Sequence, residues 1–135
     1  MPSGLGSALT SAYLATRFAE RVPGVDFILG EGRPLEAVGF GKSMAIITAF
    51  NPFNHAMPPA QNEAANAALL AELTGLGLAC SPIDGMDPTG AWVEESYMVF
   101  DIPFDQAVGA GDKYGQNAIV WIESRDMIPR LLLLK

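Results

Sequence analysis

Two adjacent carboxylates, Glu94 and Glu95, follow Trp92 at the head of the apolar run "WVEESYMVFDI" (92–102). Beside an indole and an apolar strand, desolvation raises a carboxyl pKa, as a general acid or base near neutral pH requires. Neighbours on a strand point to opposite faces, so only one of the pair can serve a given pocket. If Trp92 faces inward, Glu94 shares its face and Glu95 points away. A carboxylate on an open sheet face is otherwise simply solvated. The histidine count is one, His55, and the cysteine count is one, Cys80. His55 follows "NPFN" and has the chemistry of a base or a metal ligand, but a metal centre needs more imidazole or thiolate than this chain owns. As a lone loop histidine it reads first as a surface residue. A nucleophile set of Cys80, His55 and Asn51 is arithmetically available. Cys80, however, lies inside the strand-like "LACSPI" (78–83), where a cysteine is ordinarily a small buried hydrophobe. The acidic turn "DGMDPTG" (84–90) with Glu94 and Glu95 offers oxygen ligands, but without the alternate-residue spacing of a calcium loop. It reads as a turn punctuated by Asp-Gly and Asp-Pro. No metal and no cofactor is expected.

The other polar side chains of interest are neutral amides. In "YGQNAIVW" (114–121), Gln116 and Asn117 stand directly before an apolar strand. Asn51 precedes Pro52 at the end of another strand, and Asn62 opens a helix. Amides at such junctions can cap main chain or tolerate left-handed backbone. They can also hydrogen-bond a ligand.

These residues have to be held by one domain, 1–135, long enough to bury its own core. Hydrophobic residues make up 50% of the chain, yet no window approaches the ~20 apolar residues of a spanning helix. "MPSGLGSALTS" lacks the basic and apolar regions of a signal peptide. With a single cysteine, a cytoplasmic setting is expected. Net charge is −7, and Lys and Arg are scattered singly, so no basic stripe is available to nucleic-acid phosphates. Neither a nucleic acid nor a membrane is an expected partner. The high apolar content does suit a homo-oligomer interface.

Periodicity and turn chemistry predict a helix over 7–21 ended by Pro23-Gly24, a short strand over 25–30, and at most one helical turn in "PLEAVGFGKS" (34–43). From Met44 the order is strand 44–50, helix 58–77, strand 78–83, turn 84–90, strand 92–102, helix 103–115 and strand 117–123. A last strand, 127–134, contains Pro129, which argues for a sheet edge. The order β-α-β-β-α-β predicts an α+β fold of ferredoxin-like type. An antiparallel sheet would gain an added N-terminal helix and a C-terminal edge strand. Strand 44–50 would be central, between 117–123 and 92–102. One pole then gathers residues 51–62, the 84–90 turn, the head of strand 92–102, and Gln116 with Asn117.

"ITAFNPFN" (47–54), "WVEES" (92–96) and "GQNAIV" (115–120), with "AYLATRF" (12–18) upstream, resemble a bacterial family of unknown function, the domain-of-unknown-function family 3293. The resemblance covers most of the chain and implies no activity, cofactor or catalytic residue. It implies family-typical positions at Asn51, Pro52, Asn62, Gly85, Trp92, Glu95, Gln116, Asn117 and Ala118. The Gly-rich "AVGAGDKYG" and the short "PLEAVGFGKS" depart from it.

Three functions fit. The first is a cytosolic domain binding a small polar ligand or a peptide through Asn51, Asn62, Trp92, Glu95, Gln116 and Asn117. The second is a small hydrolase or transferase with Glu94 or Glu95 as acid/base and amides stabilising an oxyanion. The third is an oligomerisation or protein-docking module without chemistry, using the apolar edge "LLLL". A deep pocket with a partly buried carboxylate suits an enzyme, and a pocket without one suits a binder. A filled pole with an apolar sheet face exposed suits a docking module.

Overall fold

The computed structural model describes residues 7–20, 25–35, 42–52 and 55–134. Most of "PLEAVGFGKS", and with it the expected helical turn, falls outside these residues, as do Phe53 and Asn54. In chain order the elements are α1 (Ser7–Leu14), β1 (Arg17–Glu20), β2 (Asp26–Ile28), a 3-10 turn (Leu29–Glu31), β3 (Met44–Ile47), α2 (Pro59–Gly75), β4 (Cys80–Met86), β5 (Val93–Phe100), α3 (Phe104–Lys113), β6 (Ala118–Ile122) and β7 (Pro129–Leu133). None of these helices is long and apolar enough to cross a membrane.

The strands form one antiparallel sheet in the order β2-β1-β4-β5-β3-β6-β7, curled into a half-barrel. β3 lies between β5 and β6, with Ile46 paired to both Met98 and Val120. β7, with Pro129 at its start, is an edge strand. The mixed helix and antiparallel-sheet class expected from the sequence is therefore what forms.

Every residue of β3 is buried, because both faces of the sheet are covered. On one face Ala45, Ile47, Val99, Ile119 and Trp121 pack under α2 and α3. Phe104, at the head of α3, meets Trp121 edge-on with centroids 5.2 Å apart. On the other face Met44, Ile46, Ile83, Met98, Val120 and Ile122 form a second core with Val25 and Leu29, flanked by Phe18 and Phe27. This is therefore not the open sheet face on which a carboxylate would simply be solvated. The N-terminal segment crosses it, and the 3-10 turn reaches α1 and β7 while Leu35 N–H donates to the Met127 carbonyl at 2.8 Å.

That segment is also where the element boundaries differ most. The helix expected over 7–21 stops at Leu14, where Thr16 Oγ1 turns back to donate to the Ala12 carbonyl at 3.0 Å. Residues 17–20 then become β1, which pairs with the otherwise open edge of β4 and buries part of Phe18. Helix propensity differs by only tenths of a kcal/mol per residue among ordinary residues, so an unpaired sheet edge overrides it. The expected strand 25–30 is likewise shorter, yielding to the 3-10 turn at Leu29. β3 ends at Ile47 rather than Phe50. Asp84 to Met86, expected in a turn, extend β4, and the turn proper is closed by Asp87, whose carboxylate accepts from Trp92 N–H at 3.2 Å and Thr89 Oγ1 at 2.7 Å.

Candidate functional site

α2 carries Asn62, Asn66, Leu69 and Leu73 on one buried stripe. The two leucines face the sheet, while the two asparagines, one and two turns nearer the helix start, meet the chain as it leaves β3. Asn66 Oδ1 accepts from Ala49 N–H, and its Nδ2 donates to the Glu95 carbonyl, both at 2.8 Å. Thr48 Oγ1 donates to that carbonyl at 2.6 Å and accepts from Phe50 N–H at 3.1 Å. These bonds satisfy the amides of Ala49 and Phe50 beyond the end of β3 and the Glu95 carbonyl of β5.

Asn51 is the next link. Its φ is 46°, a left-handed conformation that asparagine tolerates better than most residues. Asn62 Oδ1 accepts from Asn51 N–H at 2.9 Å, and Asn62 Nδ2 donates back to Asn51 Oδ1 at 2.8 Å. Asn51 Oδ1 also accepts from Met57 N–H, and Asn51 Nδ2 donates to Glu94 Oε2, both at 3.1 Å.

Gln116 arrives from a helix end. α3 closes in a Schellman motif, with Gly115 at φ 71°, its N–H on the Asp112 carbonyl (3.1 Å) and Gln116 N–H on the Gly111 carbonyl (2.9 Å). The left-handed Gly115 aims Gln116 back at the β3 exit. There Nε2 donates to the carbonyls of Phe50 at 3.1 Å and Tyr114 at 3.2 Å. Asn117 lines the same cavity as Tyr13 of α1.

These groups surround a cavity of about 420 Å3 lined by Tyr13, Asn51, Trp92, Glu94, Gln116 and Asn117 among others. Beneath it, towards the second core, a chamber of about 70 Å3 continues between Phe18, Gly85, Ser96 and Ala118. The inner chamber exists because Glu94 is paired across the ladder with Gly85, which presents no side chain there. A Cβ at Gly85 would meet the Phe18 ring at 3.0 Å.

Glu94 is partly buried, and burial raises its pKa against the opposing hydrogen bond from Asn51. Burial also raises the Tyr13 pKa, with Asn117 opposing and the charge of Glu94 adding. Glu94 is the one charged side chain among the described residues lining the two chambers.

Of the residues expected at the pole, Asn51, Trp92, Gln116 and Asn117 line this cavity together. Asn62 and Glu95 do not. They line a neighbouring outer groove with Asn51 and Glu63. His55 is an exposed loop residue. Cys80 is paired with Val99, six residues along β5 from the cavity end at Val93, about 20 Å at strand rise. Burial pushes its thiol pKa up. Cys80, His55 and Asn51 are thus not assembled. Among the described residues no group of three or more His, Cys, Asp and Glu is gathered as a metal site. Tyr13, Thr16 and Asn66 were not expected here. An asparagine at core spacing from Leu69 and Leu73 was a readable signal for Asn66, whereas nothing local marks Tyr13.

The model of the family described as "Protein of unknown function (DUF3293)" matches residues 47–119, just over half of the chain. Those residues run from the end of β3 through Gln116 and Asn117. No curated protein and no solved structure matches.

Proposed function

The chain belongs to the DUF3293 family of proteins of unknown function, and since membership assigns no activity, we propose from the cavity that it is a binding domain for a small polar ligand. One observation carries this reading. Side chains from four separate segments, Tyr13, Asn51, Trp92 with Glu94, and Gln116 with Asn117, converge on a single cavity. Trp92, 41% exposed at the mouth, would supply an apolar wall. The segment β3-α2-β4-β5-α3-β6 is taken as a ferredoxin-like unit, supported by the strand order β4-β5-β3-β6 within the sheet. A cytosolic setting accords with the lone Cys80, and the scattered cations give nucleic acid no footing.

A second reading is a hydrolase or transferase with Glu94 as acid or base, favoured by its partly buried carboxyl. Two of the amides expected to stabilise an oxyanion are engaged elsewhere, since Gln116 Nε2 is bound to two main-chain carbonyls and Asn51 Nδ2 donates to Glu94 itself. Glu95, the other candidate, lines the neighbouring groove. A docking module is supported less, since both sheet faces already carry buried cores.

Thermal denaturation against metabolites, nucleotides and divalent ions tests the binding reading. A ligand at 100 times its Kd adds about 2.7 kcal/mol. The expected result is a compound that raises the wild-type midpoint but not that of Trp92→Ala or Asn117→Ala. A response equal in all three proteins would move the site elsewhere.

A further inference from the structure

Resting on the reading of the cavity as a binding site, we propose that its ligand carries a protonated amine, with Glu94 as counter-ion and the rings of Tyr13 and Trp92 flanking the ammonium group.

The charge balance points this way first. Among the described residues lining the two chambers, none is Lys or Arg, and Glu94 is the single ionisable carboxylate. Its resolved partner is the neutral Asn51 amide. A buried charge is ordinarily matched by an opposite one. A carboxylate or phosphate ligand would face Glu94 with no cation to offset it. A neutral ligand would leave Glu94 as it is.

Hydrogen-bond polarity agrees. Both Nε2 bonds of Gln116 go to main-chain carbonyls, so the end of the amide left for the cavity is the acceptor Oε1. The hydroxyls of Thr16 and Ser96 likewise donate to the Ala12 and Glu94 carbonyls, leaving lone pairs. Gln116, Thr16 and Ser96 therefore turn acceptors to the cavity, and an ammonium group offers only donors. Tyr13 and Trp92 are two aromatic residues of the lining, and aromatic ring faces attract cations. The chain's net charge of −7 favours approach of a cation over an anion.

The probes are n-butylamine and 2-phenylethylamine, titrated at neutral pH beside n-butanol, 2-phenylethanol and butyrate. Binding is read by calorimetry and by the NMR signal of the Trp92 indole N–H. The expected result is that the amines bind while the alcohols and butyrate do not. Glu94→Gln should weaken the amines by roughly tenfold or more, the loss of a charge-assisted contact. Because Glu94→Gln keeps the side-chain shape, its fold is checked by an unchanged NMR fingerprint. Trp92→Ala, at an exposed position, should weaken 2-phenylethylamine more than n-butylamine. If an alcohol or butyrate binds at Trp92 as well as an amine does, or if Glu94→Gln leaves amine binding unchanged, the cavity is a site but not an amine site. If no probe at millimolar concentration moves the Trp92 signal, the amine proposal falls, and the binding reading then stands or falls on the broader thermal panel.

Discussion

Glu94 sits where burial works against its charge. Its pKa is higher folded than unfolded, so between those two values the folded chain binds more protons. Stability therefore falls as pH rises through that window. Below the unfolded value the group is protonated in both states and the penalty vanishes; above the folded value the penalty is complete. Glu94→Gln, which cannot ionise, is expected to be more stable than wild type at neutral pH and nearly equal to it in acid. Urea denaturation at both pH values checks this, and a variant less stable at neutral pH would mean that the carboxylate is already compensated. Asn51 and Asn62 behave differently, because each satisfies the other. Asn62→Ala strands the Asn51 N–H, and Asn51→Ala also places alanine at φ 46°. Each single change is expected to cost about 1–3 kcal/mol, and a double-mutant cycle should show coupling of roughly 0.5 kcal/mol or more. Additive losses would mean that the pair is not a unit.

At the scale of elements, α3 carries Gly109 and Gly111, residues that ordinarily weaken a helix, and the two glycines turn out to be unlike. A Cβ at Gly109 meets nothing within 4 Å, whereas one at Gly111 would lie 2.7 Å from methyl carbons of Ile119 and Leu134. Gly111 is thus the point at which the helix approaches β6 and the C-terminal edge, and it also supplies the carbonyl for the Schellman bond that orients Gln116. Gly109→Ala is expected to raise stability by about 0.5–1 kcal/mol. Gly111→Ala should lower it by about 1–2 kcal/mol through overpacking. Denaturant midpoints distinguish them. Equal effects would mean that α3 does not rest on β6 at Gly111.

At the scale of the whole molecule, the cavity exists because the sheet is sandwiched. Its floor belongs to the second core, and its far wall is α1 with the start of β1. Leu69 and Met98 are both fully buried, on opposite faces of the sheet. Leu69→Ala and Met98→Ala are each expected to cost about 2–5 kcal/mol. A near-neutral Met98→Ala would mean that the N-terminal layer does not cover its face. Phe18 is the hinge between layer and cavity, stacked on Phe27 at 5.4 Å and lying over Gly85. Phe18→Ala should enlarge the inner chamber and lower hydrogen-exchange protection in β1 and β2 before the rest of the sheet.

Local chemistry alone determined much of this protein. The apolar runs, Pro59 at a helix entry, Gly77 and Gly115 at helix exits, and Pro129 at an edge are signals carried within a few residues. They sufficed for α2, α3, the strands from β3 onward and the neighbours of β3. They also put Asn51, Trp92, Gln116 and Asn117 at one end, because strand direction follows from element order. Only tertiary structure decided the rest. Whether residues 17–20 continue a helix or join a sheet depends on the open edge of β4, more than sixty residues away. That choice covers the second face, brings Tyr13 to Asn117, and turns Glu94 from a solvent-facing carboxylate into a cavity wall. Glu94 lines the cavity and Glu95, expected among the binding residues, the neighbouring groove for the same reason. Alternation puts the two on opposite faces, but which face is enclosed depends on the layer that packs against it.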